Sequence, residues 1–249
     1  MHRLVEIELS PDHAMYIHRQ RRPVKAGTWK LALRHGASSN TISLMTSTAE
    51  ARWRAACLAG LAAFAALGLA ALLAGIAPGD VTVRQGLIDG QTSRMLEIAR
   101  WVNSGGTGWV LIPAMLLLFA LSPVARRRWW LWGAVFAVSG LAETAAKFLV
   151  GRPRPAGESF GFPSGHSTAV ATFAVILIYV LSRERASRRR RVALVALAVI
   201  LVLGVGWARI MLNAHWPTDV LAGWALGTAC AAGGAWWESA RLAALGGDS

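Results

Sequence analysis

Six long apolar stretches, separated by short segments rich in arginine, limit this chain more than any other feature. They run over residues 55–77, 109–124, 129–150, 167–181, 192–210 and 220–237. A helix that crosses a bilayer needs about 20 mostly apolar residues. Ala and Leu dominate the stretches and nothing alternates with period two, so the pattern predicts helices and not barrel strands. Only 16% of residues are charged and mean hydropathy is +0.43. A soluble domain has about 25% charged residues. The expected fold is therefore all-α, a polytopic membrane bundle of about six transmembrane helices.

A net charge of +13 raises the possibility of nucleic-acid binding. The placement of that charge argues against it. Arg126, Arg127 and Arg128 separate the second and third stretches, and Arg183, Arg185 and Arg188 to Arg191 separate the fourth and fifth. Short arginine-rich loops stay on the cytoplasmic side. With six crossings this puts both termini inside, in a cell or plasma membrane. Trp53, Trp129, Trp130, Trp132, Trp236 and Trp237 then fall at inner helix ends, as an aromatic belt or as packing between helices. Cys57 and Cys230 lie within apolar stretches and read as small helix residues.

Residues 1–50 are polar, basic and aperiodic, and read as a disordered cytoplasmic tail before a membrane domain over 51–249. Met45, followed by Thr-Ser-Thr-Ala-Glu, reads as an alternative translation start, which intact-mass analysis would check. Three segments are left outside: 78–108, 151–166 and 211–219. The first is mixed and partly amphipathic. A surface helix, a lid and a solvated loop are all open for it.

The polar chemistry gathers in the other two. Lys147 is followed by Arg152 and Arg154 in a turn stiffened by Pro153 and Pro155, an arrangement suited to clamping an anion. Phe162-Pro163-Ser164-Gly165-His166 opens the fourth helix. Ser164 can cap it, Gly165 lets a ligand approach the backbone, and first-turn amides favour phosphate. An ordinary Ser cap with an incidental His would look the same. In the third stretch Arg209 ends a helix, Pro217 suits the first turn of the next, and Asp219 lies where it can reach back to His215. A carboxylate on one imidazole nitrogen fixes the tautomer and frees the other nitrogen. Glu143, one turn before Lys147, is either a partner for that lysine or a structural contact between helices.

In order, Lys147-x6-Arg154-Pro155, Pro163-Ser164-Gly165-His166 and Arg209-x5-His215-x3-Asp219 resemble the three-part signature of the phosphatidic-acid-phosphatase type 2 family. The resemblance implies a hydrolase acting on a lipid phosphate or diphosphate, at the outer face, without metal or other cofactor. Its implied partners are the lipid substrate and the bilayer. It also implies roles. His215 resembles the nucleophile, Asp219 its orienting group, and His166 the acid that protonates the leaving oxygen. Lys147, Arg154, Ser164, Gly165 and Arg209 resemble the phosphate-binding set. Undecaprenyl diphosphate, phosphatidylglycerol phosphate and phosphatidic acid are the implied substrate classes. A phosphotransferase using the same residues, or an idle lipid-binding protein, would carry a similar pattern. One departure stands out. The family usually has Ser just before the third-part Arg, where this chain has Ala208, so one hydrogen bond to phosphate is expected to be missing.

Overall fold

The computed structural model describes residues 38–157 and 160–247. Of the expected tail over 1–50, residues 1–37 lie outside the described residues. Nine helices and no strand occur among the described residues: α1 Ser38–Ala74, α2 Pro78–Ile88, α3 Ser93–Ser104, α4 Gly108–Leu121, α5 Pro123–Arg127, α6 Trp129–Val150, α7 Gly165–Arg183, α8 Arg188–Met211 and α9 Pro217–Gly247. The all-α expectation holds. Helix α1 starts at Ser38, inside the stretch expected to be tail, and no proline interrupts it before Ala74.

Four helices among the described residues are long and apolar enough to cross a membrane alone: α1, α6, α7 and α8. A fifth span arises if α3 and α4, bent by 45° at their junction, count together. The chain is thus a multi-pass membrane protein, but this measure does not reach six. Helix α9 is the difference. It is 31 residues long, and its centre is Ala, Gly and Trp in place of Leu and Val. Small residues suit a helix that packs against others inside a membrane bundle.

Helix α9 is the hub, packed along α1, α7 and α6. At Gly60 in α1 a methyl group would sit 2.9 Å from the Ala225 carbonyl oxygen. At Gly223 in α9 one would sit 2.6 Å from the Ser164 carbonyl oxygen. Both crossings therefore need glycine, and the second sets α9 directly behind the start of α7. Helix α1 touches little else. Only 11% of its apolar window is buried, which leaves Leu58, Leu69, Leu72 and Leu73 facing outward as lipid-contacting residues do.

The chain reversals between helices give the bundle two distinct ends. One carries the arginine loops around α5, α6, α7 and α8. There Trp132 is buried against Tyr179 with ring centroids 5.1 Å apart, so it is core and not belt. Trp129, Trp130 and Trp237 are exposed, as belt residues are. The opposite end brings together the C-termini of α6 and α8 and the N-termini of α7 and α9.

Candidate active site

Helix α6 ends in Gly151, whose φ of 58° is left-handed and whose amide bonds the Lys147 carbonyl oxygen at 2.9 Å. Glycine takes that conformation without steric cost. The chain then turns back over the bundle end, placing Lys147 on the last turn of α6 and Arg152 just beyond. Helix α7 begins at Gly165, and Ser164 holds the N-cap position. The expected cap is not made: the Ser164 side chain bonds no amide of α7 but accepts from Ser167 Oγ at 2.9 Å. Its own amide bonds the Asp219 carbonyl oxygen at 3.0 Å, tying the start of α7 to the start of α9.

Helix α9 starts with Trp216 as cap, Pro217 in the first position and Asp219 two residues on. Asp219 Oδ2 accepts from the Trp216 amide at 3.0 Å, the backward half of a capping box. The buried His215 ring lies beside it. The expected reach of Asp219 to the ring is only partly met, since Nδ1 stands 3.5 Å from Oδ2. The shorter partner is the Gly161 carbonyl oxygen, 2.7 Å from Nδ1. A carbonyl oxygen only accepts, so in the neutral ring Nδ1 carries the proton and Nε2 keeps its lone pair. Burial pushes the His215 imidazole below its ordinary range. Arg209 and Lys147 push the same way, and Asp219 opposes them.

The predicted residues converge. His166 interacts electrostatically with Arg209, His215 and Lys147. Arg154 and Arg209 stand close enough to repel each other. Arg209 is oriented by a bond from its Nη1 to Asn103 Oδ1 at 2.8 Å. Lys147 Nζ lies 2.6 Å from Glu143 Oε1, so the Glu143–Lys147 pair is formed. A Cβ at Gly165 would meet that same Glu143 oxygen at 2.7 Å. A carboxylate therefore rests against the start of α7, where phosphate was expected.

Arg152 needs correcting. Sequence reasoning grouped it with Lys147 and Arg154 as a clamp cation. In the structure it is only 3% exposed and both of its terminal nitrogens are engaged. Nη1 bonds Asp219 Oδ1 and Thr218 Oγ1, each at 2.7 Å, and Nη2 bonds Asp80 Oδ2 at 2.5 Å. It braces Asp219 from behind. Ala208 stands where the family usually has Ser. It is wholly buried in a small apolar cluster with Ala99 of α3 and Met211.

Five residues that sequence reasoning did not single out complete the site, four of them in segment 78–108. Asp80 reaches Arg152 and the Thr218 amide. Arg84 bonds Asn213 Oδ1 through Nε at 2.8 Å and lies over the Trp216 ring. Asn103 holds Arg209. Gly161 supplies the carbonyl for His215. Gly106, in the α3–α4 turn, packs on His166, where a Cβ would come within 2.9 Å of the histidine Cβ. The segment is thus a pair of helices fastened to the site, not a free loop. Only an acidic residue in a first helical turn marks Asp80 in the sequence, and ordinary dipole preference produces that as well. Among the described residues, no three His, Cys, Asp or Glu side chains converge as metal ligands would.

Residues 128–243 match the PAP2 superfamily. The chain is 30% identical over 141 residues to phosphatidylglycerophosphatase B of Bacillus subtilis, covering 53% of this chain and 69% of that protein. It is 31% identical over 160 residues to decaprenylphosphoryl-5-phosphoribose phosphatase of Mycobacterium tuberculosis, covering 59% of this chain and 81% of that protein. Its fold is similar to the crystal structure of a transmembrane PAP2-type phosphatidylglycerolphosphate phosphatase from Bacillus subtilis, with a TM-score of 0.64, 22% identity, and coverage of 75% of this chain and 94% of that one. The chain belongs to the PAP2 superfamily, whose relatives here are lipid phosphatases, hydrolases of phosphoric esters.

Proposed function

We propose that this protein hydrolyses a lipid phosphate or diphosphate through a phosphohistidine formed on His215. The observation that carries the reading is the His215 ring itself. Its Nδ1 is held by the Gly161 carbonyl oxygen, and the ring lies among Lys147, Arg209 and His166. That leaves Nε2 as a nucleophile in a cationic setting suited to phosphate.

In the first step Nε2 bonds phosphorus and the bond from phosphorus to the lipid oxygen breaks. His166 gives that oxygen its proton. In the second, His166 takes a proton from water, whose oxygen attacks phosphorus and breaks the N–P bond. Inorganic phosphate leaves and His215 returns to its neutral form. Lys147, Arg154, Arg209, Ser164 and the Gly165 amide hold the phosphoryl oxygens, and their fixed charge favours the transition state over bulk water.

The site opens at the end away from the arginine loops. The rule that places such loops in the cytoplasm supports an outward-facing site, with the C-terminus inside. The substrate lies with its tail among lipids and its phosphate at the helix ends. Undecaprenyl diphosphate, phosphatidylglycerol phosphate and phosphatidic acid go into the test panel, joined by the decaprenylphosphoryl phosphoribose in one relative's name.

The test is phosphate release from that panel by detergent-purified protein, with EDTA present, beside His215→Ala. The wild type is expected to turn over and the variant to lose at least about 10⁴-fold in rate. Quenching the wild type in alkaline denaturing detergent during turnover should trap phosphate on the protein that is stable to alkali and lost in acid. Equal rates for the two proteins would overturn the reading.

A further inference from the structure

We propose that Asp80 is a positioning residue for phosphoryl transfer: by sharing the Arg152 guanidinium it keeps Asp219 from being neutralised, and so preserves negative charge beside His215. The proposal rests on the hydrolase reading above.

The four groups form one buried chain. Asp80 is 1% exposed, Arg152 3%, Asp219 0% and His215 2%. One arginine stands between two carboxylates, with Nη2 on Asp80 and Nη1 on Asp219. The unit of three therefore carries a net charge of −1. An Arg152–Asp219 pair alone would carry none. The difference matters because of what surrounds the ring. His215 faces Asp219 on α9, Arg209 on α8, Lys147 on α6 and His166 on α7, with Arg152 behind Asp219. Two cations thus bear on it, Arg209 and a Lys147 whose charge Glu143 offsets until phosphate takes the lysine from it. When Nε2 bonds phosphorus, Nδ1 keeps its proton on the Gly161 carbonyl oxygen and the ring becomes cationic. A cationic ring between Lys147 and Arg209 is unfavourable unless a negative charge lies behind it. Asp219 supplies that charge, and Asp80 keeps it from being cancelled.

Asp80 also has a mechanical contact. Its Oδ1 accepts from the Thr218 amide at 2.8 Å and its Oδ2 from Thr218 Oγ1 at 2.6 Å, fastening α2 to the first turn of α9. A mere strut would explain those bonds. Charge and strut differ in what they do to titration, so the test separates them.

The experiment follows phosphate release against pH in detergent for wild type, Asp80→Asn and Asp80→Glu, with thermal melting of each. The asparagine keeps one acceptor, for the Thr218 amide, but removes the charge and the Oδ2 bonds to Arg152 and the Thr218 hydroxyl. Its kcat is expected to fall about 10-fold or more, the scale on which outer partners of a working histidine act, while KM stays within about twofold. Without the negative charge the ring loses its proton more readily, so the acid limb of kcat/KM moves to lower pH. Asp80→Glu restores the charge and returns the limb to the wild-type position. Asp80→Asn with wild-type kcat and limb overturns the proposal. So does activity lost only in proportion to folded protein, with the limb unmoved. If Asp80→Asn does not fold, Thr218→Val decides, since it weakens the strut and leaves both carboxylates. An unmoved limb with at least a third of wild-type kcat supports the charge role, and a collapse like that of Asp80→Asn overturns it. A wild type that releases no phosphate sinks the hydrolase reading and this proposal with it. An active wild type beside an unchanged Asp80→Asn sinks this proposal alone.

Discussion

The two ends of the bundle use the same residue type in opposite ways. At one end Arg126, Arg127, Arg183, Arg185 and Arg188 to Arg191 are exposed or nearly so. The ion pair there, Arg128 Nε to Glu238 Oε1 at 3.1 Å, leaves the arginine side chain 30% exposed. A cavity of about 590 Å³ beside it is lined by Arg127, Arg128, Arg183 and Glu238. At the other end Arg152 is buried between two carboxylates. Arginine in water fixes which side a loop occupies and contributes little to stability. Arginine out of water must be paired, and its loss strands its partners. In the function proposed above, charge at the first end sets topology and charge at the second sets chemistry.

The largest expected effect tests that contrast directly. Arg152→Met would leave Asp80 and Asp219 as two uncompensated buried carboxylates. Removing one partner of a buried pair costs about 3–5 kcal/mol. Thermal melting in detergent should show a severe loss and phosphate release should vanish. The matched change at the other end, Arg127→Met, removes an exposed arginine and should cost about 0.5 kcal/mol or less, with kcat unchanged. Similar melting shifts for the two variants would erase the distinction between the ends.

That distinction also explains what could be read from the sequence. The spans α1, α6, α7 and α8 were legible because apolar length is a local property. Helix α9 was legible as an apolar block, but its role as hub depends on Gly60 and Gly223 fitting against backbone far along the chain. The site residues within three short motifs were legible because each motif lies in one turn of chain, and the structure brings Lys147, His166, Arg209 and His215 together as their order implied. Arg152 was misread because its neighbours in sequence are cations and prolines, whereas its partners lie 67 and 72 residues away. Asp80, Asn103 and Gly161 escaped for the same reason. Each works through a contact across the fold, at sequence separations of 138, 106 and 54 residues.

Glu143 sharpens the comparison with an intermediate effect. Its carboxylate pairs with Lys147 and rests against the first residue of α7. An incoming phosphate would meet a like charge there and would have to take Lys147 from it. Glu143→Gln should therefore bind inorganic phosphate about 3–10-fold more tightly, measured as competitive inhibition, because one nearby like charge in a partly buried site is worth about 1 kcal/mol. Both side chains are partly exposed, so the melting temperature should change little. A large fall in stability with unchanged phosphate binding would assign Glu143 to helix packing.

Ala208 gives the smallest expected effect, and it runs against the reading from family resemblance. A missing serine hydroxyl there suggested a lost phosphate contact that Ala208→Ser would restore. The structure gives position 208 different surroundings. Its methyl group is wholly buried among Ala99 and Met211, with Met95, Val102, Trp207 and Leu212 packed around them. A hydroxyl in that cluster has an acceptor within reach in its own helix, the carbonyl one turn back, and serines placed this way bond backwards. Ala208→Ser should therefore change kcat/KM by less than about threefold and lower stability by about 1 kcal/mol, the cost of a hydroxyl buried with a compensating bond. A rise in kcat/KM of about 10-fold, the size of one added hydrogen bond to a charged group, would instead bring position 208 into the phosphate site and require α8 to turn there when substrate binds.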